Sequence, residues 1–121
     1  LHSVAVGFGL AIVLASSALA QTPQQEKQTD RVVALTKPLF DCVKRNAHSR
    51  ELYSSPERAD IVAIAVVGRC SEEEGAYKAA LFQLQAIMTS FDANSSAERT
   101  HQRLIERAVT TIVDERQRIS N

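Results

Sequence analysis

Apolar residues recur along this chain at three- and four-residue steps, interrupted by short polar stretches, which is the pattern of amphipathic helices rather than strands. Val32, Leu35, Leu39, Cys42 and Val43 share one face of a first helix predicted over residues 31–49, and Phe40 and Ala47 widen that face. Pro38 removes a donor within it and crowds the preceding turn. It either kinks the helix or lies in the first turn of one that starts at Thr36. The preceding residues 21–30, QTPQQEKQTD, carry no apolar side chain beyond Pro23 and read as a flexible leader.

A second stripe, Ala59, Val62, Val66, Cys70, Tyr77, Leu81, Leu84, Met88 and Phe91, predicts a long central helix of about 36 residues, ~54 Å at 1.5 Å per residue. Its start is marked by Ser54 and Ser55, by Pro56, and by a Ser54-x-x-Glu57 capping box. Residues 61–67, IVAIAVV, are apolar almost all round; β-branched residues suit strands as well, but the capping before them and the alanines within favour a helix. Ser71-x-x-Glu74 is another capping box, flanked by Gly68 and Gly75, and leaves open a break between 68 and 75. After a turn at Asp92-Ala93-Asn94, a third box, Ser95-x-x-Glu98, opens a last helix striped by Ala97, His101, Leu104, Ile105, Ala108, Val109, Ile112, Val113 and Ile119.

Short connections place successive helices antiparallel. The expected fold is therefore all-α: an antiparallel three-helix bundle or hairpin on a long central helix. The first helix should lie against the first half of the central one and the last helix against its second half. All three overlap near residues 68–75, where Gly68 and Gly75 either admit a close third helix or are simply tolerated.

Residues 4–19, VAVGFGLAIVLASSAL, carry no charge, and Ala18-Leu19-Ala20 closes the run ahead of Gln21. An apolar run ending in A-x-A is the pattern of a secretory signal peptide, here cut between Ala20 and Gln21. No Lys or Arg precedes the run and the chain begins with Leu1, both of which fit either a start upstream of Leu1 or a non-AUG start read literally. The run sits at the lower limit for a membrane span, and its small residues favour cleavage over an anchor. The expected organisation is a signal peptide at 1–20, a leader at 21–30 and one helical domain at 31–121.

The 121 residues suffice for one domain, and 14 basic against 14 acidic residues give no net charge. That balance argues against a dedicated nucleic-acid binder, whose affinity comes from clustered Lys and Arg. Export places Cys42 and Cys70 in an oxidising compartment, where the one available intramolecular pairing is a disulfide closing 28 residues. There is no C-x-x-C, and His48 and His101 do not stand at zinc-ligand spacing from either cysteine.

Catalytic chemistry finds no purchase. His48 lies in the first connection among Arg and Ser residues, as a solvated side chain; His101 is at the core edge of the last helix. Glu72, Glu73 and Glu74 project about 100° apart and do not converge on a metal. Gly-rich phosphate loops, HExxH and GxSxG are absent from the sequence. Arg99, Arg103 and Arg107 form an i, i+4, i+8 row that either meets an acidic partner or anionic lipid, or pairs with Glu106 and acids of the central helix. The expectation is a non-enzyme with no cofactor and no metal site. The Asn94-Ser95-Ser96 sequon matters only in a host that glycosylates secreted proteins.

Cys42-Val43, Ser55-Pro56-Glu57-x-Ala59, Val62-Ala63 and Arg69-Cys70-Ser71-Glu72-Glu73 through Tyr77 together resemble a group of small exported helical proteins of alphaproteobacteria with two cysteines about this far apart. The resemblance covers roughly residues 39–85. It implies a bacterial periplasmic or secreted protein and transfers no active site. The expected function is that of a non-catalytic protein-interaction or structural factor of the cell envelope, monomeric or homodimeric, with an apolar groove at Phe82, Ile87 and Phe91. The alternative is a periplasmic carrier of a small ligand or metal, for which His48 and His101 would come together with a glutamate.

Overall fold

The computed structural model of the protein describes residues 21–121. The signal-peptide reading, with Ala18 and Ala20, falls outside that range; Gln21 is the first described residue. Five helices follow: α1 (Pro23–Ala47), α2 (Arg50–Tyr53), α3 (Ala59–Gly68), α4 (Ser71–Ile87) and α5 (Ala93–Ser120), with no strand among the described residues.

The supposed leader is helical. Thr22 and Gln25 form a reciprocal capping box: the Thr22 hydroxyl accepts from the Gln25 backbone N–H, and the Gln25 side chain accepts from the Thr22 N–H, each at 3.1 Å. Pro23 occupies the first turn, where its missing donor has no intrahelical role. Lacking apolar residues, the segment docks through amides instead. Gln25 Nε2 donates to the Ile87 carbonyl at 2.9 Å, and Gln28 Nε2 to that of Ala80 at 3.0 Å. Pro38 lies inside this one continuous helix, on its exposed side. Lys44 and Arg45 fill its last turn, where they complement the helix dipole.

The central helix is two helices. Helix α3 ends at Gly68, Arg69 and Cys70 turn, and α4 restarts at Ser71. Glu72, Glu73 and Glu74 in the first turn of α4 favour a new N-terminus there. The Ser71 hydroxyl makes no cap, because Cys70 holds the capping position. Nor does Ser54 start α3. Its hydroxyl turns back to the Arg50 carbonyl, Glu57 donates its N–H to the Ser55 hydroxyl, and the helix begins only at Ala59. Helix α5 is capped by Asp92 rather than Ser95: the Asp92 carboxylate accepts from the Ser95 N–H at 3.1 Å.

Pairing also differs from the expectation. Helix α1 packs most extensively along α4, the second half of the central segment, and α5 most extensively along α3, the first half. Two causes act together. The early start of α1 lets it run antiparallel to α4, from Gln25 opposite Ile87 to Cys42 opposite Cys70. The first connection is no tight hairpin turn, since α2 and the 54–58 turn carry the chain sideways before α3 begins. Helix α5 is long enough to cover both halves: Ala93 lies beside Gln85, Thr100 beside Tyr77, and Arg116 beside the 53–57 backbone.

The core is one cluster. Leu39, Val66, Leu81, Leu104 and Ile112 are fully buried in it, and each such side chain contributes roughly 1.5–3 kcal/mol relative to exposure. The Tyr77 hydroxyl is buried and hydrogen-bonded to the Thr100 hydroxyl at 2.9 Å. Burial pushes its pKa up, so the phenol stays neutral. Gly68 and Gly75 do not admit a close helix: a Cβ at either would meet no atom within 4 Å.

Candidate functional site

Cys42 and Cys70 are bonded, with Cα atoms 5.9 Å apart, and the bond ties α1 to the α3–α4 junction. Asn46 sits beside it and donates to the Cys42 carbonyl at 2.9 Å. Glu73 brings a carboxylate oxygen within 4.8 Å of both sulfurs, the only grouping of three metal-ligating residues among the described residues. Both sulfurs are committed to each other, so the cluster offers no thiolate to a metal.

His48 and His101, the two histidines among the described residues, are held apart, each by its own glutamate. His48 closes α1 as its C-cap and pairs through Nδ1 with Glu115 of α5. It is therefore a tie between two helices and not only a solvated loop residue. The Glu115 carboxyl is held below the usual carboxylate range, first by His48 and then by Arg118. His101 Nδ1 meets Glu74 Oε2 of α4 at 2.7 Å. Of the acidic run, Glu74 turns to α5, Glu73 lies near the disulfide and Glu72 is exposed.

Phe82, Ile87 and Phe91 do not line a common groove. Phe91 is buried, Ile87 packs against the core, and Phe82 stays exposed. Helix α4 ends at Ile87, so Phe91 lies in the turn beyond it and shares no helix face with Phe82.

A concave surface lies elsewhere, between α1 and α5, with a volume of about 930 Å³. Val33 and Phe40 of α1, both half-buried, give it an apolar floor with the buried Val43 and Ala47 beneath, and Lys37 and Lys44 flank it. The facing wall is polar: Arg103, Glu106, Arg107, Thr110 and Thr111 of α5, with buried Ala108 behind them. The Arg107 guanidinium lies over the Phe40 ring, 5.1 Å from its centroid. Lys37 bridges to Asp41 at 2.8 Å and holds that carboxyl below its ordinary pKa. A shallower hollow continues along α5 past Arg99 and Gln102. Arg99 reaches the Ser96 hydroxyl at 3.3 Å. Arg99 and Arg107 thus engage a hydroxyl and a ring rather than the acids of α4.

Sequence reasoning placed Phe40 and Ala47 on a widened core face, which holds for fully buried Ala47, but it missed that Val33 and Phe40 stay partly uncovered beside α5. It also missed Arg116, whose Nε donates to the Tyr53 carbonyl at 2.6 Å and whose Nη2 donates to those of Ser55 and Glu57 at 2.7 and 2.8 Å.

No family model, curated protein or solved structure matches this chain. Among the described residues no helix is long and apolar enough to cross a membrane.

Proposed function

We propose that the protein is an exported, non-catalytic interaction module of the bacterial cell envelope, folded as a disulfide-stapled helical bundle, and that it binds a partner protein along the α1–α5 groove. The observation that carries this reading is the groove itself: half-buried Val33 and Phe40 on one helix faced by a polar, arginine-bearing wall on another. Export is supported by the apolar run closing on Ala18-Leu19-Ala20 and by the disulfide. The groove is a surface concavity rather than an enclosed cavity, and His48 and His101 are each engaged by a separate glutamate. Both features favour a macromolecular partner over an enclosed small ligand or a metal.

Site-specific photocrosslinking in the producing cells tests this. A crosslinker at Lys44, in the groove, is expected to give a discrete protein adduct, and one at Lys78, on the exposed side of α4, is expected to give none. Equal adducts at both positions, or none at Lys44, would overturn the assignment.

A further inference from the structure

We infer that two copies of this chain pair through the outer face of α3 and α4, laid antiparallel about a two-fold axis at the α3–α4 junction. This face shares no residue with the α1–α5 groove and does not depend on it. Among the described residues five large apolar side chains stay exposed, and three of them stand here: Ile61 at 44%, Ile64 at 57% and Phe82 at 43%. Val62, Val66 and Cys70, then Tyr77, Leu81 and Leu84, are buried at a continuous helical period across the Arg69–Cys70 turn, and α5 packs against both helices. The two outer faces therefore point the same way. The stripe opposite the core, Ile61, Ile64, Gly68, Gly75, Ala79 and Phe82, is exposed throughout and runs about 33 Å at 1.5 Å per residue.

The fold of one chain gives its glycines no task. Neither Gly68 nor Gly75 has a left-handed backbone, and a Cβ at either meets no atom within 4 Å. Gly75 nevertheless stands inside α4, where only proline is a poorer helix former. A missing Cβ serves a close approach, and here only another molecule can approach. A second copy fits that place because the stripe is its own mirror. Ile61 and Phe82, Ile64 and Ala79, and Gly68 and Gly75 stand at equal distances on either side of the point between Ser71 and Glu72. An isologous interface requires this self-complementarity. An axis through that point sets Ile61 against Phe82 at each end, Ile64 over Ala79 further in, and Gly68 against Gly75 where the backbones come closest. Charge obeys the same symmetry. Glu72 is the one charged residue on the stripe, and Arg69 projects beside it on one flank. The axis brings the two Glu72 carboxylates near each other and sets beside each the Arg69 of the other copy. Within its own chain Arg69 reaches only exposed Glu51, at 3.4 Å. Lys78 projects about a quarter-turn away, outside the contact. A strip one helix wide is smaller than a permanent interface, so the pairing is reversible.

Sedimentation equilibrium of the purified protein, over about 10–500 µM, tests the inference. A reversible monomer–dimer equilibrium is expected. Gly68→Gln/Gly75→Gln fills the contact, but in one chain its new side chains enter open space. It is expected to weaken dimerisation about tenfold or more while the melting temperature of the dilute protein does not fall. Ile64→Glu, at an exposed position, is expected to weaken it as strongly. Arg69→Glu and Glu72→Arg should each weaken the dimer, and the two together should recover most of the loss, a recovery that misfolding cannot produce. A protein that stays monomeric across the range would overturn the inference. So would a dimer indifferent to the glycine pair, or a double swap no better than either single change. Flotation of monomeric protein with phosphatidylglycerol vesicles, abolished by Ile64→Glu, would overturn it too, because lipid and not a second copy would then cover the face.

Discussion

Arg116 offers the sharpest test of how this fold holds its least regular segment. Its guanidinium takes three carbonyls from the turn joining α2 and α3, at 2.6, 2.7 and 2.8 Å. Arg116→Ala removes all three donors together. The three acceptors do not lose equally. Tyr53 is buried, so its carbonyl forfeits a charge-assisted bond worth about 1.5–3 kcal/mol. Ser55 is half-buried and recovers part of its bond from water, and the carbonyl of exposed Glu57 recovers nearly all of it. The sum is a loss of about 2–3 kcal/mol, or roughly 10–20 °C in melting temperature for a domain of this size. Urea unfolding followed by circular dichroism measures it, with the slope expected to stay constant while the midpoint falls. Arg116→Lys keeps the charge but has no planar fork to address several carbonyls, and is expected to recover less than half the loss. A loss below about 0.5 kcal/mol, or full recovery by lysine, would refute the fork as what holds the turn.

Four further outcomes are expected. Replacing both cysteines, Cys42→Ser with Cys70→Ser, should cost about 3.5 kcal/mol in chemical denaturation, the chain-entropy value for a 28-residue loop; an unchanged midpoint would mean that the bond stabilises nothing. Tyr77→Phe strands the Thr100 hydroxyl and should cost about 1–2 kcal/mol, with a double-mutant cycle against Thr100→Val giving a coupling near 1 kcal/mol; strict additivity would contradict the bond. Glu115 has its pKa lowered in the folded state by His48 and Arg118, so its stabilisation is present above the ordinary carboxylate pKa and is lost as pH falls through the lowered one. The stability gap between the native protein and Glu115→Gln should therefore shrink from pH 6 to pH 3, and a gap that is constant with pH counts against the pairing. Gly75→Ala places a methyl in open space within α4 and should raise stability by about 0.5–1 kcal/mol; a lower melting temperature would point to a contact the fold does not show.

The helical class, the disulfide and the core face of the last helix were legible in the sequence because each follows from a local period or a residue type. Leu104, Ala108 and Ile112 sit where their spacing puts them, and Cys42 had one partner to find. The start of α1 was written in the chain as Thr22-x-x-Gln25, yet hydrophobic periodicity cannot see a helix that docks through glutamine amides. The serines at 54, 71 and 95 misled for a common reason. A capping box is a local option: the Ser54 hydroxyl turns back to the Arg50 carbonyl, Cys70 takes the N-cap position of α4, and Asp92 accepts from the Ser95 N–H. The pairing of α1 with α4 depended on the path of residues 48–58, which no stripe encodes. The widened face of α1 was legible in Phe40 and Ala47, but only the position of α5 decides that Ala47 is closed into the core while Phe40 and Val33 stay partly uncovered.

The bond between Cys42 and Cys70 also changes what a cut would do. It closes a covalent ring that contains the end of α1, all of α2, the 54–58 turn and all of α3. A protease that opens that turn releases no fragment: the N-terminal arm up to Cys42 and the C-terminal arm from Cys70 stay joined through sulfur. Nicked and intact molecules would travel together on a non-reducing gel and separate into two bands only after reduction. In a protease-rich surrounding the ring lets the most exposed turn be severed while the chain persists as one particle.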